Sequence, residues 1–410
     1  MSPACRACGL PLTHSLVDLG ETPLANSYPS AADLGRPDPR YPLHARVCDG
    51  CFLVQVEDVV SSREIFSDYA YFSSYSASWV EQAGRFCEQA RERFGLGRDS
   101  LVVEVASNDG YLLRHFARAS VPVLGIEPAA NVAAVAQAAG VPTEVRFFGL
   151  DTARDLAAAG HAADLLVGNN VLAHVPDLHD FVAGLALLVK PEGVISLEFP
   201  HLMRLMEEVQ FDTIYHEHFS YFSLFALEPV LTRHGLRVFD VETLASHGGS
   251  LRLSVCRRDS ARHEDTEAPD ALRAAEGRAG LDSLAPYTGF TERVAAVRDS
   301  LLAFLRAARD DGKSVVAYGA AAKGNTLLNH CAVGTDLIAY VVDASPHKQG
   351  RYLPGSRLPI HSPKRLQETR PDYVLILPWN LRDEIMREMA AVRDWGGRFV
   401  VPIPTTTVLP

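Results

Sequence analysis

From residue 100 onward, apolar runs of strand length alternate with stretches of helical periodicity, and this alternation limits what the chain can fold into more than any other feature. Residues 100–106 (SLVVEVA), 123–127 (VLGIE), 164–168 (DLLVG) and 193–199 (GVISLEF) read as buried strands, and 145–148 as a short edge strand. Segments such as NVAAVAQAAG between them read as helices, and 78–94 (SWVEQAGRFCEQARERF) has helical spacing of its apolar positions. Apolar strands separated by helices fit a parallel sheet covered on both faces. Two further runs, 236–241 and 251–256, lie too close together for a crossover helix and predict an antiparallel hairpin at the sheet edge. After a charged connection over 257–287 the alternation resumes. Residues 315–318 lead into GAAAKGNTLLNHC, and strands follow within LIAYVVDASP, DYVLILP and RFVVPIP. The expected fold class is α/β, with two sheet-and-helix units in one chain.

The segment before these units has another character. Residues 1–75 are rich in Pro and turn formers and lack long apolar runs, so their core is thin. They carry Cys5-Arg-Ala-Cys8 and Cys48-Asp-Gly-Cys51, two knuckles separated by 39 residues. Two residues between thiolates let a tight turn aim both at one ion. Cys5, Cys8, Cys48 and Cys51 are therefore expected to hold one structural Zn2+. Cys87, Cys256 and Cys331 lie in apolar contexts and read as core. The expected domains are a zinc-binding module over 1–75, a cofactor-binding domain over 76–258 and a second α/β domain over 259–410. The net charge of −11 leaves no overall basic field to attract nucleic acid or an anionic membrane. No run approaches the roughly 20 apolar residues of a membrane span. The start MSPACRACG lacks the apolar segment of a signal peptide, so the expected location is the cytoplasm.

The first strand of the central unit ends in Glu104-Val-Ala-Ser-Asn-Asp-Gly110, a small-residue turn at the edge where such sheets bind ligands. It is not a dinucleotide fingerprint, because Ala106 and Asn108 stand where glycines are usual. Glu127, at the tip of the second strand, is placed to accept hydrogen bonds from the ribose hydroxyls of an adenosine, which suits NAD as well as S-adenosylmethionine. The loop Asn169-Asn170-Val-Leu-Ala-His174 would close over it. The two late antiparallel strands separate these cofactors. With E-V-A-S-N-D-G, I-E-P and G-N-N-V-L-A-H-V-P-D in order, the central unit resembles class I S-adenosylmethionine-dependent methyltransferases. That resemblance implies a Rossmann-like domain and a cofactor shell of Tyr69, Ala106, Ser107, Asn108, Gly110, Tyr111, Glu127, Asn131, Phe148, Asn169 and Asn170.

Residues 212–223, DTIYHEHFSYFS, crowd Tyr215, His216, Glu217 and His218 together. A zinc-protease HExxH motif is excluded, since position 220 is Ser. Local capping would explain any one of these side chains, but not so many together. Removing a hydrogen beside a ketone needs a base, and donors for the enolate oxygen. The whole chain resembles the sugar C-methyltransferases that act on carbon 3 of TDP-linked 4-keto-6-deoxyhexoses. The resemblance rests on C-R-A-C-G, D-L-G-E-T-P-L-A-N-S-Y, C-D-G-C, Y-H-E-H-F-S-Y-F-S, H-G-G-S-L-R and G-A-A-A-K-G-N-T. It implies His218 as base, Glu217 as its orienter, and His174 and Tyr215 as donors to the oxygen on carbon 4, with Tyr215 and His218 able to exchange roles. It also implies a monomer with a TDP-4-keto-deoxysugar partner, which His247, Arg252, Lys323, Asn325, Tyr352, Trp379 and Asn380 would bind. The rivals are an NAD-dependent nucleotide-sugar oxidoreductase, a zinc-ribbon nucleic-acid methyltransferase and a non-catalytic binding protein.

Overall fold

The computed structural model describes residues 3–61, 64–65 and 72–410. The N-terminal module contributes β1 (His14–Thr22), β2 (Tyr41–Val47) and β3 (Val54–Val56), an antiparallel set. The helix Ala77–Phe94 follows. Its first turn is capped by the Ser76 hydroxyl, which accepts from Trp79 N, and Gly95 ends it in the left-handed conformation at φ 67°.

The central sheet is built from β4 (Val102–Val105), β5 (Val123–Ile126), β6 (Thr143–Glu144), β7 (Ala163–Asn169) and β8 (Val189–Pro200). A two-residue strand, β9 (Ser220–Tyr221), lies in the crowded loop, and β10 (Leu236–Leu244) and β11 (Ser250–Arg257) come after it. The order is β10-β11-β8-β7-β4-β5-β6, with β10 and β11 antiparallel at the edge, as the sequence predicts. One boundary differs. The edge strand is Thr143–Glu144, and 145–148 forms no strand. Phe147 and Phe148 instead line a cavity, with Phe148 also packed edge-on against Phe181 of the core.

The C-terminal unit orders β12 (Val315–Tyr318), β13 (Val341–Val342), β14 (Ile360–His361), β15 (Tyr373–Ile376), β16 (Arg398–Val401) and β17 (Thr407–Leu409) as β14-β13-β12-β15-β16-β17. All pairs are parallel except β16 with β17.

The N-terminal module is wedged between the two larger units. Leu16, Val17, Leu43 and Val54 share one apolar core with Leu327, Val341 and Leu375 of the C-terminal unit. Cys5, Ala7, Cys48 and Leu53 belong instead to the core of the central sheet, with Leu166 and Phe199. The thin core expected of this segment is thus completed by its neighbours. Moreover, β9 pairs with β3, so a piece of the central domain finishes the N-terminal sheet. Among the described residues no helix is long and apolar enough to cross a membrane.

Candidate active site

A cavity of about 590 Å³ opens at the carboxyl edge of the central sheet, where all three units meet. At its inner end the turn after β4 places Ala106 and Asn108 in the left-handed region, at φ 54° and 50°. This is the conformation that glycine adopts freely and asparagine tolerates, and it costs Ala106 of order 1–2 kcal/mol. Asn108 N and Ala129 N each donate to the Glu127 carboxylate at 2.9 Å, fixing its direction. Burial pushes Glu127 above the usual carboxylate range, while these two bonds pull it back. Its remaining lone pairs suit the paired hydroxyls of a ribose.

Ala106, Asn108, Tyr111, Glu127, Phe148, Asn169 and Asn170 all line the cavity. Ser107, Gly110 and Asn131 do not. Ser107 is buried under Gly125, and Asn131 stands exposed on the next helix. Tyr69 lies outside the described residues.

At the other end stands the crowded loop. His218 Nδ1 lies 2.9 Å from the Thr213 carbonyl, which can only accept. The proton therefore sits on Nδ1, and the bare Nε2 accepts the Tyr215 hydroxyl at 2.8 Å. Glu217 does not orient this ring. Its two carboxylate oxygens accept from the Asn26 amide of the N-terminal module at 2.8 and 3.0 Å. His174 follows the same logic as His218. Its Nδ1 donates to the Glu217 carbonyl at 2.7 Å, which leaves Nε2 an acceptor. Burial brings His174 down to about 4 and holds His218 well below the imidazole range, because two adjacent rings cannot readily both take up a proton in a buried site. Both rings are neutral at pH 7. His216 is turned into the scaffold, near the carbonyls of Tyr41 and Pro42.

Of the residues expected to hold substrate, His247, Lys323 and Asn380 line the cavity. Lys323 Nζ donates to Asn380 Oδ1 at 2.7 Å, lies 4.6 Å from the Trp379 ring centre, and is near enough to lower His218 and His247. The other four are placed elsewhere. Arg252 is paired with Glu198 at 2.7 Å and Glu242 at 3.0 Å, behind the cofactor end. Trp379 is buried with Nε1 on Asp212, Asn325 is buried and donates to Ala25 O, and Tyr352 does not line the cavity. Trp79, Asn26 and Lys348 also line it and escaped the sequence reading. Asn26 sits within the quoted P-L-A-N-S-Y string, whereas Lys348 carries no motif signal.

The four cysteine sulfurs lie within 4.8 Å of one another, and two pairs approach to 3.5 and 3.4 Å. Such a group suits tetrahedral coordination by zinc. Burial pushes the Cys8 thiol up to about 11, and the contact with Cys5 pushes Cys51 up further. A dication at the centre would remove those protons.

A parallel sheet with this antiparallel edge and such a cavity defines a class I methyltransferase, here joined to a zinc module and a second α/β unit. Family models match as a zinc binding domain over residues 5–66, a methyltransferase domain over 79–241 and a C-methyltransferase C-terminal domain over 245–404. The chain is 37% identical to C-methyltransferase NovU of Streptomyces niveus over 405 residues, 99% of this chain and 96% of that protein. The chain belongs to the C-methyltransferase family. It is also 28% identical over 149 residues to a ubiquinone biosynthesis O-methyltransferase of Rhizobium etli (strain CIAT 652), 30% of this chain and 59% of that one. Among solved structures, magnesium protoporphyrin IX methyltransferase (ChlM) from Synechocystis PCC 6803 with bound SAM is 14% identical. Its TM-score is 0.36, over 49% of this chain and 100% of that one. The cofactors of this enzyme are S-adenosylmethionine and, at the four cysteines, zinc.

Proposed function

We propose that this enzyme methylates carbon 3 of a TDP-linked 4-keto-(2,6-di)deoxyhexose, in deoxysugar biosynthesis for a natural product. The observation that carries this reading is the Tyr215–His218 pair, with a proton-free imidazole nitrogen behind a phenol at the cavity wall. S-adenosylmethionine supplies an electrophilic methyl group, so the protein's task is to make a carbon nucleophile. The Tyr215 oxygen takes the carbon-3 proton as its own hydroxyl proton passes to His218 Nε2. The electrons of the broken C–H bond move onto the carbon-4 oxygen, giving an enolate, and carbon 3 then accepts the methyl group.

The enolate oxygen needs a donor or a cation. His174 cannot donate from Nε2 in its neutral form, so the nearby Lys323 ammonium is assigned that part. His174 aligns the loop through the Glu217 carbonyl. Glu127 holds the cofactor ribose, and the diphosphate end of the substrate lies toward Lys348 and the C-terminal unit. The test is to incubate the protein with S-adenosylmethionine and a panel of TDP-4-keto sugars. The expected product gains one methyl on carbon 3. Methylation at oxygen or nitrogen, or no gain with any member of the panel, would overturn the assignment. Turnover of a nicotinamide cofactor would favour an oxidoreductase instead.

A further inference from the structure

The N-terminal module holds the catalytic loop from both sides of His218. Asn26 binds the Glu217 carboxylate, and β3 pairs with β9 immediately after Phe219. One contact comes from within the cysteine cluster itself. Arg6, between Cys5 and Cys8, donates from Nη1 to the Phe219 carbonyl at 3.0 Å, with its guanidinium 5.3 Å from the Phe219 ring centre. Val56 N donates to the same carbonyl at 3.0 Å, and Phe219 N donates to Ala173 O at 2.7 Å, beside His174. Gln55 closes the circuit. Its Oε1 accepts from Arg6 N at 3.0 Å and its Nε2 donates to Cys5 Sγ at 3.2 Å, while its neighbours Val54 and Val56 lie along β9. Phe219 is fully buried, so this peptide has little room to adjust.

We propose that Arg6 is a positioning residue for the reaction. The geometry of the four-cysteine site fixes Arg6, and Arg6 fixes the peptide that follows His218, and with it the Tyr215–His218 pair. The metal module thereby sets the alignment of the base from a site that touches neither substrate nor cofactor. This inference rests on the reading that the pair removes the carbon-bound proton. A misplacement of about 1 Å in such a pair can lower turnover by ~10²-fold.

The test uses the full chain carrying Arg6→Met, which keeps the apolar stem over Phe219 and removes the donor. Zinc content and S-adenosylmethionine affinity should match wild type. Turnover should fall by about 10–100-fold, and backbone amides of residues 215–221 should exchange faster with deuterium. Arg6→Lys keeps a single donor and should stay within about five-fold of wild type, because this contact is not a two-pronged one. If Arg6→Met loses zinc, Arg6→Gln carries the same expectations. Wild-type turnover in a zinc-replete Arg6→Met or Arg6→Gln protein, or unchanged protection of 215–221, would overturn the proposal. Failure of the underlying reading looks different, since Tyr215→Phe would then turn over at the wild-type rate whatever Arg6 does.

Discussion

A backbone carbonyl can only accept, so Thr213 fixes the His218 proton at Nδ1 and turns the other nitrogen toward Tyr215. In the proposed mechanism both residues take part in moving one proton. Tyr215→Phe and His218→Asn should each lower turnover by about 10²–10⁴-fold, with S-adenosylmethionine affinity by calorimetry unchanged. Burial holds His218 below the ordinary imidazole range, so its basic form persists as pH falls through that range. The acid limb of kcat/KM should accordingly lie below about 6.5, the free imidazole value. A limb at or above that value would contradict the geometry. Lys323→Met removes a charge that lowers His218, so it should move the limb upward while reducing kcat. At the cofactor end, Glu127→Ala should weaken S-adenosylmethionine binding by about 1.5–3 kcal/mol, and unchanged affinity would place the ribose elsewhere. The residue types of the site were legible because Tyr, His and Glu crowd one short loop. Their partners were not. The resemblance implied Glu217 as the orienter of His218, yet its carboxylate meets Asn26, 191 positions away. Arg252 looked available to a diphosphate because nothing in H-G-G-S-L-R shows that Glu198 already neutralises it.

Among the elements, the central strands were legible because each is a continuous apolar run buried on both faces, and the late hairpin because no helix fits between its strands. The edge was misplaced by two residues, since Phe147 and Phe148 owe their apolar character to the cavity wall and, for Phe148, to packing on Phe181, not to pairing in a strand. The pairing of β3 with β9 left no trace in sequence. A two-residue strand has no period to read, and its partner lies in another module. That pairing alters what zinc removal should do. Stripping zinc with a chelator should raise amide exchange in β1 to β3 and in residues 219–221, and should abolish methyl transfer. The seven-stranded sheet and S-adenosylmethionine binding should persist. Full activity in zinc-free protein would show that the cysteine site does not support the loop.

At the scale of the whole molecule, the cavity exists only because three units converge on it. Asn26 comes from the first, the Tyr215–His218 pair and Glu127 from the second, and Lys323, Lys348 and Asn380 from the third. Tyr28 ties the first to the third, its hydroxyl donating to Ala320 O at 2.6 Å, just before the helix Ala322–His330 that carries Lys323. Gly248 has no room for a side chain, because an added Cβ would lie 2.5 Å from Trp379 of the third unit. The central claim is that this assembled site removes a proton from the carbon beside a ketone before the methyl group is delivered. It is tested most directly in heavy water, with the full-length enzyme, a TDP-4-keto-6-deoxyhexose that it methylates and S-adenosylhomocysteine in place of the methyl donor. Wild type should wash one deuterium into carbon 3, seen by mass and by loss of that proton resonance, while Tyr215→Phe and His218→Asn should not. A wild-type enzyme that methylates the sugar yet never exchanges that hydrogen, or variants that exchange it at the wild-type rate, would contradict the account.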